Sequence, residues 1–195
     1  GIVGVRTVYR YEIAGQYGRT VTERGFWNMN IVLTGFMASG KTQISKELSK
    51  LTGFSLVDTD AVIEEKTGLS INDIFEKFGE SKFRDIEHDV IKEVSERENT
   101  VISTGGGVVL NPDNITSLRK HGVIINLAPD FNTILERLND AKATRPLLKN
   151  SDIEDIRKRF NERSPFYADC DIKINVSNEH TPLYFAEQIM KLIQE

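Results

Sequence analysis

The amino-acid sequence predicts a three-layer α/β fold, a five-stranded parallel sheet with helices on both faces. Three observations carry that expectation. From Met29 onward, short apolar runs alternate with segments of helical periodicity. Val123–Leu127 has the apolar character of a strand buried on both sides, as in parallel sheets. Between the first of these runs and the first helical segment lies a glycine-bearing loop, the usual place for a ligand site in such folds.

Each element follows from its own local pattern. In residues 1–28, Val3, Val5, Thr7, Tyr9, Tyr11 and Ile13 fall on alternate positions, Ala14–Gly18 reads as a turn, and Arg19–Phe26 as a return strand. This segment carries +2 against −6 for residues 29–195, and it contains no serine, which argues against a plastid transit peptide. It reads as an N-terminal extension, either an extra hairpin or an appended leader. Ile31–Leu33 is the first core strand. The helix after it places Ile44, Leu48 and Leu51 on one face and ends at Gly53. Phe54–Val57 is the second strand, followed by a helix ending at Gly68.

Ser70–Phe78 repeats the helical code, with Ile71, Ile74, Phe75 and Phe78 at helix spacing and Ser70/Asp73 as a capping box. Phe83, Ile86, Val90, Ile91 and Val94 mark another helix. Val101–Ser103 is the third strand, and Asn111-Pro112 opens a helix with a cap and a first-position proline. Val123–Leu127 is the fourth strand, before a helix with Phe131, Ile134, Leu135 and Leu138 inward. Asp140–Asn150 lacks periodicity and is expected to be a mobile loop. Ser151 with Glu154 caps the next helix, Ile172–Val176 is the last strand, and Thr181-Pro182 starts the C-terminal helix.

Composition narrows the function classes. With 195 residues, 39% hydrophobic and 28% charged, the chain suits one folded domain with a sizeable core. A net charge of −4 speaks against a broad nucleic-acid surface. No apolar run approaches the roughly 18 residues of a membrane span. Cys170 stands alone, so no internal disulfide forms, and it reads as a buried small hydrophobe. His88, His121 and His180 are too dispersed for a zinc site. A reducing, cytoplasmic setting fits all of this. The Glu93–Glu98 charge run reads as a solvated helix end.

The chemistry concentrates in a few motifs. Gly35-Phe36-Met37-Ala38-Ser39-Gly40-Lys41-Thr42 matches GxxxxGK[ST] between a strand and a helix. Glycines let backbone N–H groups face phosphates, the helix N-terminus adds positive potential, Lys41 reaches the β and γ phosphates, and Thr42 can ligate Mg²⁺. Asp58 and Asp60 follow the second strand, at the sheet edge where ligands gather. One can order Mg²⁺ through water and the other accept hydrogen bonds from an acceptor; equally, Asp60 can simply cap the next helix. Arg84 and Glu87 are neighbours on one helix surface, as an ordinary surface ion pair or as a guanidinium oriented to grip an anion. Gly105-Gly106-Gly107 costs more chain entropy than a turn requires and suits close approach of backbone to ligand. The strand before it has no acidic residue of Walker-B type, which leaves the metal role to Asp58.

These motifs together resemble the shikimate kinase family, within the nucleoside-monophosphate-kinase-like P-loop group. The resemblance runs from about Met29 to the C-terminus and rests on GFMASGKT at 35–42, DTD at 58–60, FRDIE at 83–87, STGGG at 103–107, TRPLL at 144–148 and ERSPFY at 162–167. It implies phosphoryl transfer from ATP, with Mg²⁺, to the 3-hydroxyl of shikimate, in aromatic amino acid biosynthesis. Asp60 would then hold the shikimate hydroxyls, Arg84 and Arg163 its carboxylate, and Gly105, Gly106 and Gly107 would line the acceptor pocket. Phe75 and Phe83 would form its apolar wall, although plain core packing explains Phe75 equally well. The acceptor region would span about 59–95 and the lid about 139–151. Arg145 would be the lid arginine, Arg137 would pack near adenine, and Asp58 would sit near the magnesium ion. A monomer is implied. Two departures stand out: Ala38 where many relatives have glycine, and Gln43 where a second hydroxyl residue is common. The rivals are another small P-loop kinase, acting on gluconate or a nucleotide, and a catalytically silent nucleotide-binding module. Lys41, Asp58, Asp60 and Arg145 together speak against the silent module.

Overall fold

The computed structural model describes residues 9–10, 20–21, 29–141 and 150–194. Five strands, β3 (Asn30–Thr34), β4 (Ser55–Asp58), β5 (Thr100–Ser103), β6 (Gly122–Pro129) and β7 (Ile172–Val176), form one sheet in the order β4-β5-β3-β6-β7. Every pairing is parallel, with Leu33 level with Ser103 and with Ile125, and Asp58 level with Ser103. Ahead of the sheet, β1 (Tyr9–Arg10) pairs antiparallel with β2 (Thr20–Val21), in keeping with the alternation of the N-terminal extension.

Alternation within each strand divides the apolar residues between two cores. Ile31, Leu33, Val101, Val123, Ile125 and Leu127 point to one face, which is covered by α1 (Lys41–Thr52) and α7 (Pro182–Gln194) through Ile44, Leu48, Phe185 and Ile189. Val32, Val57, Ile102 and Ile124 point to the other. That face is covered by α2 (Thr59–Thr67), α3 (Ile71–Ser95), α4 (Pro112–Lys120), α5 (Phe131–Ala141) and α6 (Asn150–Tyr167). Strands that look continuously apolar in sequence therefore serve two different packings.

Local signals account for most helix ends. Gly53 and Gly68 take left-handed conformations at the C-termini of α1 and α2. The Ser70 hydroxyl accepts from the Asp73 N–H, and Asn111 caps α4 in front of Pro112. Asn30 is a buried anchor: its amide donates to the Arg97 carbonyl oxygen at 2.8 Å and its oxygen accepts from the Thr100 N–H at 3.1 Å.

The helical stretch α3 is broken at Gly79, whose φ of 80° and ψ of 171° are not helical, so the two helices expected at 70–78 and 83–94 stand on either side of that break. Phe78, at that break, is 56% exposed, and Leu51, in the last turn of α1, is 47% exposed. Cys170 is half-buried, packed against the second face's core, and burial pushes its thiol up. The charged residues of the Glu93–Glu98 run are exposed, as expected of a solvated helix end, with Glu93 pairing with Lys66 at 2.7 Å and Glu96 with Lys120 at 3.3 Å on the surface. Among the described residues, no helix is long and apolar enough to cross a membrane.

Candidate active site

The glycine loop joins the end of β3 to the start of α1. A Cβ on Gly35 would lie 2.9 Å from the Leu127 carbonyl oxygen, so only glycine lets the loop pass over β6 there. Ala38 and Gly40 both have positive φ, 58° and 97°. For Ala38 that left-handed conformation costs on the order of 1 kcal/mol, a penalty glycine would not carry. The N-terminus of α1 has no side-chain cap and no acidic residue in its first turn, which leaves its N–H groups suited to an anion.

Lys41 folds back over this loop, donating to the Gly35 carbonyl oxygen and, at 3.1 Å, to that of Phe36. Burial lowers its pKa to about 8, with Asp60 and Asp58 acting in the opposite direction. Thr42 and Gln43, exposed beside it, line a cavity of about 620 Å³ together with Ala38, Arg137, Asn178 and Pro182. Arg137 ties the far wall together. It donates to the Ala38 carbonyl oxygen at 2.9 Å and to the Asn178 side-chain oxygen at 2.8 Å. Arg137 also donates to the Ser177 carbonyl oxygen at 3.3 Å, so it joins the loop to the segment before α7.

The acceptor end gathers around the three glycines after β5. The Gly105 N–H donates to the Thr59 hydroxyl at 3.0 Å, and a Cβ on Gly105 would lie 2.6 Å from the Asp60 carboxylate. On Gly106 it would lie 3.4 Å from the Arg163 guanidinium, and on Gly107 it would overlap that of Arg84. Each glycine therefore leaves room for a different charged group, and all three groups face one backbone turn.

Arg84 is held from below. Its Nη1 donates to Glu87 at 2.9 Å, and the Glu87 side chain is only 2% exposed, so this is no surface ion pair. Burial pushes the Glu87 carboxyl up, an effect that Arg84 opposes. The Arg84 guanidinium also lies 5.1 Å from the centroid of the Phe83 ring, which packs against Phe75 at 4.6 Å. Phe83 is buried in the core and Phe75 half-buried against it. Phe83 thus lies between Arg84 and Phe75.

The two aspartates separate into different roles. Asp58 is the N-cap of α2, its carboxylate accepting from the Ala61 N–H at 3.1 Å; Asp60 lies inside the first turn, so it is not the cap. Burial and the nearby Asp58 push Asp60 above the usual carboxylate range, while Lys41 opposes the shift. Arg145 and most of the expected lid fall within residues 142–149 and lie outside the described residues.

Three further groups were not singled out from the sequence. Thr59 is fully buried and holds Gly105; its place inside the DTD motif was the available signal. The Thr104 hydroxyl donates to the Leu33 carbonyl oxygen at 2.8 Å and locks the glycine run to β3. Tyr167 donates its hydroxyl proton to the Gly106 carbonyl oxygen. It lies one helical turn after Arg163, a spacing visible in ERSPFY.

Comparison with known proteins agrees with this arrangement. The family model described as Shikimate kinase matches residues 37–194. The Shikimate kinase of Caldicellulosiruptor bescii is 50% identical over 164 residues, spanning 84% of this chain and 94% of that protein. The Shikimate kinase of Thermodesulfovibrio yellowstonii is 46% identical over 83% of this chain and 93% of its own length. Among solved structures, Shikimate kinase from Acinetobacter baumannii in complex with shikimate superimposes with a TM-score of 0.77. It is 34% identical and covers 87% of this chain and 96% of that one. The family model takes in residues 37–42 of the glycine loop and the segments that follow, and the chain belongs to the shikimate kinase family.

Proposed function

We infer that the chain transfers the γ-phosphoryl group of ATP to the 3-hydroxyl of shikimate, giving shikimate 3-phosphate and ADP, a step of aromatic amino acid biosynthesis. The observation that carries this reading is the convergence of Asp60, Arg84 and Arg163 on the three glycines. A carboxylate beside two guanidinium groups suits an acceptor bearing both hydroxyls and a carboxylate.

Each residue then has a task. Backbone N–H groups of Ser39, Gly40 and Thr42, with the Lys41 ammonium, hold the β and γ phosphates. Arg84 and Arg163 bind the shikimate carboxylate and turn the ring so that its 3-hydroxyl faces the γ phosphorus. Asp60 orients that hydroxyl. As the oxygen–phosphorus bond forms and the bond to the β–γ bridging oxygen breaks, Asp60 accepts the hydroxyl proton. Its raised pKa makes it a better acceptor than an ordinary aspartate. Arg145 closes over the phosphates and helps to exclude water. Positioning and charge neutralisation supply most of the rate, because the transition state is loose.

Mg²⁺ fits the residues present. Thr42 in the first turn of α1 and Asp58 at the end of β4 are both exposed. Among the described residues, no three acidic, histidine or cysteine side chains gather into a cation site of their own. Phosphate oxygens and water would complete the shell, as is usual for this ion, and the ion would neutralise phosphate charge. Residues 29–195 constitute the kinase, working as a cytoplasmic monomer without nucleic-acid or membrane partners, and residues 1–28 are an extension. A chain begun at Met29 is expected to keep full turnover.

A coupled ADP-release assay with shikimate, gluconate and AMP in parallel tests the reading. ADP is expected with shikimate; ADP formed only with gluconate or AMP overturns it.

A further inference from the structure

Tyr167 ends the ERSPFY motif, and the reaction described above gives it nothing to do. It is buried, and its hydroxyl proton goes to the Gly106 carbonyl oxygen, with the Arg163 guanidinium one turn back on α6 beside it. A Cβ on Gly106 would lie 3.4 Å from Arg163 Nη1 and 3.9 Å from the Tyr167 hydroxyl oxygen, so glycine turn, guanidinium and phenol meet at one point.

The end of α6 needs such a fastening. Pro165 lies inside the helix and has no N–H to give to the carbonyl one turn back. The adjacent Ser164 hydroxyl donates instead to the Phe160 carbonyl oxygen at 2.7 Å, a back-bonding pattern that bends helices. Backbone bonding alone therefore defines the last turn less well than the rest of the helix, while Arg163 must hold its direction to bind a carboxylate.

We propose that Tyr167 is a positioning residue for the acceptor: its hydroxyl locks Gly106 and Arg163 into one fixed relation and so aims the guanidinium at the shikimate carboxylate. This rests on the acceptor-site reading given above. Burial pushes the phenol up to about 12, so it keeps its proton throughout the working pH range and donates to Gly106 at all times. Tyr167 acts through Gly106 and Arg163, so the effect of its hydroxyl is expected at the acceptor.

Steady-state kinetics of Tyr167→Phe, which keeps the ring, test the proposal beside Arg163→Ala and the double variant. In Tyr167→Phe the KM for shikimate is expected to rise about tenfold, as when a hydrogen bond to a charged group is lost, with KM for ATP and kcat within about twofold. In the Arg163→Ala background, Tyr167→Phe is expected to add nothing further. An unchanged shikimate KM in Tyr167→Phe, an equal rise in the KM for ATP, or effects that multiply in the double variant would each overturn the proposal. If Arg163→Ala itself leaves the shikimate KM unchanged, the acceptor-site reading fails, and the proposal with it. Thermal melting of all three variants shows whether a loss is one of folding; a shikimate KM that rises only in proportion to unfolded protein also overturns the role.

Discussion

The glycine loop is one stretch of eight residues, Gly35–Thr42, wound over the start of a single helix. The acceptor end draws on four separate segments: the first turn of α2, the middle of α3, the glycine run after β5 and the end of α6. The first depends on backbone conformation within the loop, where left-handed residues turn N–H groups one way. The second depends on the parallel register, which sets Asp58 level with Ser103 and Leu33 level with Ser103, so that three loops leave the sheet side by side. A local change should therefore disturb nucleotide binding through conformation and acceptor binding through displacement of one charged group.

Five substitutions and a change of pH separate these two kinds of construction. The largest effect is expected for Asp60→Asn, which removes the proton acceptor and keeps the shape: turnover should fall on the order of a thousandfold. Circular dichroism and melting temperature should stay close to those of the parent. Arg145→Ala should behave similarly, and near-normal turnover in either variant would defeat its assignment. Next comes Gly107→Ala, whose new methyl group would displace the Arg84 guanidinium, the far end of a flexible side chain. The shikimate KM should rise by at least about tenfold with ATP binding and stability nearly unchanged, as expected for loss of a charged contact. A matching loss of ATP binding would show that the two ends are not built independently.

A smaller effect separates the nucleotide end by pH. Without nucleotide the Lys41 pKa is about 8. Phosphates favour its charged form and raise that value on binding, so ATP affinity should be constant below pH 8 and fall as the pH rises above it. Calorimetric titration at pH 7, 8 and 9 measures this, and Lys41→Met should lack the slope. The same depressed pKa means that the folded, nucleotide-free protein binds fewer protons than the unfolded chain between about pH 8 and 10.5, so Lys41 makes stability rise with pH across that window. Smallest of all is Ala38→Gly. Release of the left-handed strain, less the extra unfolded-state freedom of glycine, should stabilise the nucleotide-free protein by about 0.5 kcal/mol. That is a rise in melting temperature of roughly 1–2 °C for a chain of this size. A fall would mean that the alanine methyl makes packing contacts worth more than the strain.

Legibility follows the same division. The glycine loop, the capping residues and the strand–helix alternation could be read because each depends on residues within a turn of one another. Readings stay open where packing between segments decides the outcome. Arg84–Glu87 looks like any exposed pair at a spacing of three, and only the packing of α3 against the sheet buries Glu87. Asp58 and Asp60 are chemically equivalent in the sequence; the junction at which β4 passes directly into α2 makes one the cap and turns the other toward Gly105.

The sequence by itself determined the class of fold, the phosphate-binding loop and the residue types needed for an anionic, hydroxylated acceptor. Those follow from hydrophobic period, glycine placement and charge, all of them properties of short windows. Only the tertiary structure decided that Thr59 holds Gly105 across 46 positions, that Tyr167 holds Gly106 across 61, and that Arg137 reaches Ala38 across 99. Such contacts arise from the parallel order of the strands, which places the ends of distant segments within hydrogen-bonding distance while leaving no trace in any one of them.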